Sequence, residues 1–344
     1  MAAARSRVVV RPPNWLGDAV MALPALSAVR AHFADAHLTI AAVPAVAAIF
    51  REDTDAAPDD VVDLPASKRE TVRVLAAGRF DVGLLLPNSW RSAWQFRRAG
   101  IAQRWGFGAS GRGLLLTQSV RRPRGVRHQA DYYRHLVRAL GLAGNAERAP
   151  RLAATPASLA EADRLLASWQ GSAPLVGFAP GAAYGQAKQW HPERVAQVAV
   201  RLIREAGSTC VLVGAGHDRD AGRAIESWFR ANAPQAAGRV LNLIGRTSLR
   251  ALVGVVARMD AVVANDSGAM HLAAALGKPV VAVFGPTDER VTRPIGDHHV
   301  LTASVFCRPC MLRDCPIDHR CMKRISVDDV YAAVSDVLAR KAGR

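Results

Sequence analysis

The chain has 344 residues, half of them hydrophobic, and carries 45 Lys and Arg against 29 Asp and Glu, a net charge of +16. That length suggests about two domains, and the apolar content is enough to bury sizeable cores. No segment reaches the roughly 18 uninterrupted apolar residues that a membrane span needs, and "MAAARSR" leads into a strand-like run without the apolar stretch of a secretory signal, so a cytoplasmic protein is expected. The basic excess points to polyanionic partners: nucleic acid, anionic lipid head groups or phosphorylated substrates. A GC-rich coding sequence would explain the choice of Arg over Lys, but not the excess.

In chain order, Val8–Val10 read as a strand and "PNWLGDAV", Pro13 to Val20, as the tight turn that opens the amphipathic stretch "MALPALSAVRAHF". Asp18 follows Gly17 at that turn, with Asn14 and Trp15 beside it. Further strand-like runs are "LTIAAV", "DVGLLLPN", "PLVGFAPG", "CVLVGAG", "DAVVAND" and "KPVVAVFGP", with helical patterns such as "PERVAQVAVRLIREAG" and "AMHLAAALG" between several of them. This alternation predicts an α/β protein with parallel sheets covered by helices on both faces. A boundary is placed between "NAERAPRLAATP" and "QGSAPLVGFAPG", on either side of the helical "ASLAEADRLLASW". The expected domains are residues 1–170 and 171–325, followed by a terminal helix in 326–344 with Ser326 as its N-cap. Two doubly wound domains facing each other across a cleft follow, with ligands beyond the carboxyl ends of the strands.

Four segments carry candidate chemistry. In "DAVVANDSGAMHLAAALGKP" a strand ends at Asn265, Asp266, Ser267 and Gly268 turn, and a helix runs to about Leu276, where Gly277 stops it. A helix N-terminus entered through small residues offers free N–H groups and a positive dipole end to a phosphate or diphosphate, and His271 shares a face with Ser267. An ordinary capped helix with a structural histidine fits the same pattern. In "FAPGAAYGQAKQWHPERVAQ", Gly181 and Gly185 loosen a loop that places Lys188 at a strand's carboxyl end, and Pro192 suits the next helix's first turn; most such lysines are surface residues. "VLVGAGHDRD" has Gly214 and Gly216, but Arg219 stands where the dinucleotide fingerprint needs a third glycine, which disfavours a nicotinamide or flavin enzyme. "CRPCMLRDCPIDHRC" holds Cys307, Cys310, Cys315 and Cys321 with His319 between them; a zinc site and a loop of reduced thiols are both open. Cys210 reads as a small core residue.

Taken together, "PNWLGDAVMALPAL", "LLPNSWRSA", "PGAAYGQAKQWHPER", "NDSGAMHLAAALGKPVVAVFGPTD" and the cysteine-rich segment resemble the glycosyltransferases that build the inner core of bacterial lipopolysaccharide, the heptosyltransferases of glycosyltransferase family 9. The resemblance runs over nearly the whole chain, and "PNWLGDAV" and "AYGQAKQW" look more like the type II branch than type I. It implies a GT-B fold of two Rossmann-like domains, with acceptor mainly on the first, sugar nucleotide mainly on the second, and the last helix packed back on the first.

The reaction implied is inverting transfer of L-glycero-D-manno-heptose from ADP-heptose to the first heptose of the core, with no cofactor required. By the same resemblance Asp18 is the base and Lys188 the leaving-group residue. Gly17, Gly181, Gly214, Asp266, Ser267, Gly268 and His271 join Lys188 on the donor, with Asp218 or Asp220 at the ribose. Asn14, Trp15, Asn88 and Arg91 meet the acceptor. Inversion by direct displacement needs one carboxylate base, and a departing diphosphate needs charge stabilisation, which Lys188 and a helix N-terminus supply. Arg91, Arg97, Arg98 and Arg121 are candidates to hold a phosphorylated glycolipid at the cytoplasmic face of the inner membrane. The alternatives are a type I or III member, a family member using another sugar nucleotide, and, from a different class, a basic nucleic-acid-binding protein. No helix-turn-helix, zinc-finger or aromatic RNA-binding motif supports the last.

Overall fold

The computed structural model describes residues 5–142, 148–169, 171 and 173–342. The chain divides into two compact units, Met1–Ala153 and Ala154–Arg344. In the first, strands β1 (Arg7–Arg11), β2 (His37–Ala42), β3 (Asp60–Asp63), β4 (Val82–Leu85), β5 (Gln103–Phe107) and β6 (Gln118–Val120) form one sheet in the order β3-β2-β1-β4-β5-β6. Every pairing is parallel. Helices cover both faces of such a sheet, so its central strands are continuous apolar runs, and Val8, Val9 and Val10 are fully buried. The chain order reverses between β1 and β4, which opens a crevice at their carboxyl ends. The amphipathic stretch after β1 forms two helices, Leu16–Met21 and Leu23–His32, rather than one. Pro24 has no N–H with which to continue the first helix.

The second unit repeats the plan. Strands β7 (Leu175–Ala179), β8 (Thr209–Leu212), β9 (Val240–Asn242), β10 (Ala261–Asn265), β11 (Val280–Phe284) and β12 (His298–Thr302) are ordered β9-β8-β7-β10-β11-β12, again all parallel. Helix Pro192–Ala206 starts with proline in its first turn and stops at Gly207, whose φ of 62° is left-handed. Its Val195, Val198, Ala199 and Leu202 lie in the core against β7, β8 and β11.

Two boundaries differ from expectation. The division falls after Ala153, not near residue 170, because helix Pro156–Leu165 packs along helix Leu249–Arg258 of the second unit. Their approach is close enough that a Cβ on Gly254 would meet the Ser158 carbonyl oxygen at 2.0 Å. Residues 145–147, 170 and 172 of the stretches chosen as the boundary lie outside the described residues. The last helix, Val327–Ala342, was expected to pack back on the first domain. Its apolar stripe of Val330, Val334 and Val337 is instead buried in the second unit's core with Val281 and Val283 of β11. Ser326 caps it as expected: Ser326 Oγ accepts from Asp329 N at 3.0 Å and Asp329 Oδ2 from Ser326 N at 3.0 Å, a reciprocal capping box. Among the described residues, no helix is long and apolar enough to cross a membrane.

Candidate active site

In the second unit, β7 and β10 are neighbours, and the loops that leave their carboxyl ends meet. Buried Asn265 ties them together: its Oδ1 accepts from Trp190 N at 3.1 Å and its Nδ2 donates to Pro180 O at 2.7 Å. Next to it Lys188 Nζ lies 2.6 Å from Asp266 Oδ2, with side chains 12% and 5% exposed. Thr287, after β11, donates its hydroxyl to the same Oδ2 at 2.8 Å. The ammonium also sits 4.7 Å above the Tyr184 ring. Ser267 is extended (φ −149°, ψ 169°) and does not cap helix Gly268–Ala275, and its buried Oγ has no hydrogen-bond partner. His271 is buried one turn into that helix, and Gly277 ends it with φ +70°. An uncapped helix N-terminus, an unspent hydroxyl and a lysine held in place by a carboxylate together suit a diphosphate.

Gly181 and Gly214 were expected to meet the donor directly. Their local reason is Asp218: a Cβ on Gly181 would lie 2.1 Å from Asp218 Oδ1, and one on Gly214 would lie 2.9 Å from Oδ2. Asp218 Oδ2 accepts from Ala215 N at 2.9 Å. Its buried Oδ1 makes no hydrogen bond, although His217 Nε2 lies 3.4 Å away. Asp220 is solvent-exposed and pairs with Arg223. Only Asp218 of the two faces the strand ends.

In the first unit the reversal point brings Asp18, after β1, and Asn88, after β4, to adjacent tyrosines on helix Gln129–Ala139. Asp18 lies in the first turn of helix Leu16–Met21, beside Gly17. Its Oδ1 accepts from Tyr133 OH at 3.1 Å. Burial, reinforced by Asp18, raises the Tyr133 phenol well above its ordinary range, so it stays protonated and donates. Asn88 Nδ2 donates to Tyr132 OH at 2.7 Å, its Oδ1 is buried without a partner, and the two tyrosine rings meet edge to face at 5.7 Å. Arg11, at the end of β1, is buried and donates from Nη1 to the neutral Gln95 Oε1 at 3.3 Å. Burial, then the nearby Arg91 charge, brings its pKa down to about 10. Asn14, Trp15, Arg91, Arg97, Arg98 and Arg121 are exposed.

Tyr132, Tyr133, Arg11 and Thr287 were not singled out from sequence. The pair in "DYYRHLV" was the available signal, but its contact with Asp18 spans 115 positions. The five cysteines are free. Among the described residues, no three His, Cys, Asp or Glu side chains are grouped to hold a metal ion.

Two doubly wound parallel sheets of the same strand order are the two Rossmann-like domains of a GT-B fold. The chain belongs to glycosyltransferase family 9 (heptosyltransferase), whose family model matches residues 69–320. Lipopolysaccharide heptosyltransferase 2 of Escherichia coli K12 is 30% identical over 311 residues, covering 84% of this chain and 85% of that protein. Its counterpart in Salmonella typhimurium LT2 is 30% identical over 303 residues, with 84% and 85% covered. The solved structure of E. coli ADP-heptose lipopolysaccharide heptosyltransferase II superposes with a TM-score of 0.84 at 26% identity, covering 98% of this chain and 99% of that one. The expected fold and enzyme class are borne out, and the nucleic-acid-binding alternative is not favoured.

Proposed function

We propose that the protein transfers L-glycero-D-manno-heptose from ADP-heptose to the first heptose of the lipopolysaccharide inner core, with inversion. The observation that carries this reading is the Lys188–Asp266–Thr287 constellation beside the uncapped helix at Gly268, in a chain aligned over most of its length with heptosyltransferase 2 relatives. In the mechanism, Asp18 takes the proton of the acceptor hydroxyl as that oxygen attacks the anomeric carbon. Tyr133 orients the carboxylate through its Oδ1. The bond from the anomeric carbon to the phosphate oxygen breaks, and ADP leaves with its new charge met by Lys188, the Ser267 hydroxyl and the N–H groups at Gly268. Asp266 holds the Lys188 ammonium in place before the donor arrives. Asp218 is assigned to the ribose, since its buried Oδ1 has an unused acceptor capacity and a ribose hydroxyl is a donor. On the acceptor side, Asn14, Trp15 and Asn88 meet the sugar, while Arg91 and its basic neighbours hold anionic groups of the glycolipid at the cytoplasmic membrane surface.

Mass analysis of products formed from ADP-heptose with heptose-free and mono-heptosylated core acceptors tests the assignment. Extension of the mono-heptosylated core alone is expected. Extension of the heptose-free core alone would overturn the choice of acceptor, and no transfer to either would overturn the activity.

A further inference from the structure

The cysteine-rich loop, residues 307–321, has no part in the mechanism above, yet it touches both segments that hold the Lys188–Asp266 pair. Toward the Lys188 segment, Arg313 O accepts from Ala187 N at 2.8 Å and Met311 O from Tyr184 OH at 2.7 Å. His319 Nε2 lies 2.7 Å from Ala187 O; a carbonyl only accepts, so the ring proton is on Nε2. The fit is tight: a Cβ on Gly185 would come within 2.4 Å of Arg313 O, so any side chain there would push the two segments apart. Toward the Thr287 segment, Arg308 donates from Nη2 to Thr287 O at 3.0 Å and from Nε to Gly285 O at 2.6 Å, and Met311 N donates to Pro286 O at 2.9 Å. One loop therefore bonds to the residue before Lys188 and to the residue whose hydroxyl holds Asp266.

His319 itself has φ +59°, a conformation in which glycine is the least strained residue. Its ring is tied to the Lys188 segment by the bond to Ala187 O. Cys315 Sγ accepts from His319 N at 3.3 Å and holds the turn.

We propose that this loop is the brace that fixes the Lys188 ammonium against the departing diphosphate, with His319 and Arg308 as positioning residues. The inference rests on the role given to Lys188 under the proposed function. Loosening the brace leaves donor binding and displaces the ammonium, so it acts on kcat more than on KM.

The test is a kinetic cycle on the full-length enzyme: wild type, His319→Ala, Lys188→Ala and the double variant, each with a thermal melt. His319→Ala is expected to lower kcat about 10- to 100-fold, the scale of a small misplacement of a catalytic group, with little change in the KM for ADP-heptose. His319→Gln, whose amide can donate to Ala187 O, recovers most of that loss. In the Lys188→Ala background, His319→Ala costs nothing further. Equal losses in both backgrounds, or wild-type kcat in His319→Ala, would overturn the brace. Should His319→Ala fail to fold, the same cycle with Tyr184→Phe, which deletes only the bond to Met311 O, gives the same choice between coupling and additivity. Wild-type turnover in Lys188→Ala would contradict the role given to Lys188 under the proposed function rather than the brace alone, which separates the two failures.

Discussion

Lys188 Nζ lies 2.6 Å from Asp266 Oδ2 with both side chains largely withdrawn from water. Such a pair is weak evidence of net stabilisation, but removing one member strands the other charge. Asp266→Ala is therefore expected to lower the unfolding free energy by about 3 kcal/mol or more, read by chemical denaturation. Thr287→Val leaves the pair and removes one hydrogen bond to the carboxylate, and should cost about 1.5–3 kcal/mol.

Gly181 is fixed by the Asp218 carboxyl that fills the space its side chain would take. Gly181→Ala forces Asp218 aside, and overpacking of this kind costs about 1–3 kcal/mol. Titration calorimetry should also show weaker ADP binding in Gly181→Ala and Asp218→Asn, while Asp220→Asn binds like wild type.

Tyr133 donates to the carboxylate proposed as the base. Tyr133→Phe keeps the ring's packing and removes a hydrogen bond to a charged group, so kcat/KM is expected to fall about tenfold, measured at saturating donor. Burial keeps this phenol protonated at neutral pH, so its own ionisation does not limit the rate there.

His191 sits beside the brace, its ring 5.6 Å from that of His319. Burial, then the charges of His319 and Arg194, lower its pKa from 6.5; Lys323 also opposes protonation, and Glu193 favours it. Between the folded value and 6.5 the unfolded chain binds more protons, so this group's contribution to stability is complete above about pH 6.5 and is lost as pH falls below it. The melting temperature should decline from pH 7.5 to 5.5 in wild type and decline less in His191→Asn.

The central strands were legible because both their faces are buried. β1, β2, β4, β7, β8, β10 and β11 all coincide with apolar runs. The strands not foreseen are β3, β5, β6, β9 and β12, which lie at or beside sheet edges, where half-exposed strands such as "DVVD" and "QRWGF" lose the continuous pattern. Loops at strand ends follow the same division. The turn at Asp266–Gly268 was readable because strand, small residues and helix are contiguous. The bonds from Tyr133 to Asp18 and from the cysteine-rich loop to Ala187 join segments more than a hundred residues apart, and no local pattern encodes them. The cysteine spacing left a zinc site and a loop of reduced thiols both open, and the contacts around the loop point to support of a neighbouring segment.

The most direct measurement is turnover of Asp18→Asn alongside its affinity for ADP-heptose. The substitution keeps an acceptor for the Tyr133 hydroxyl and removes the basic oxygen. The account predicts that heptose transfer to the mono-heptosylated core is abolished while donor affinity stays within about twofold of wild type, as for an interaction made only in the transition state. Wild-type-like transfer in Asp18→Asn would contradict it, and would leave Asp18 only as an acidic residue at a helix N-terminus.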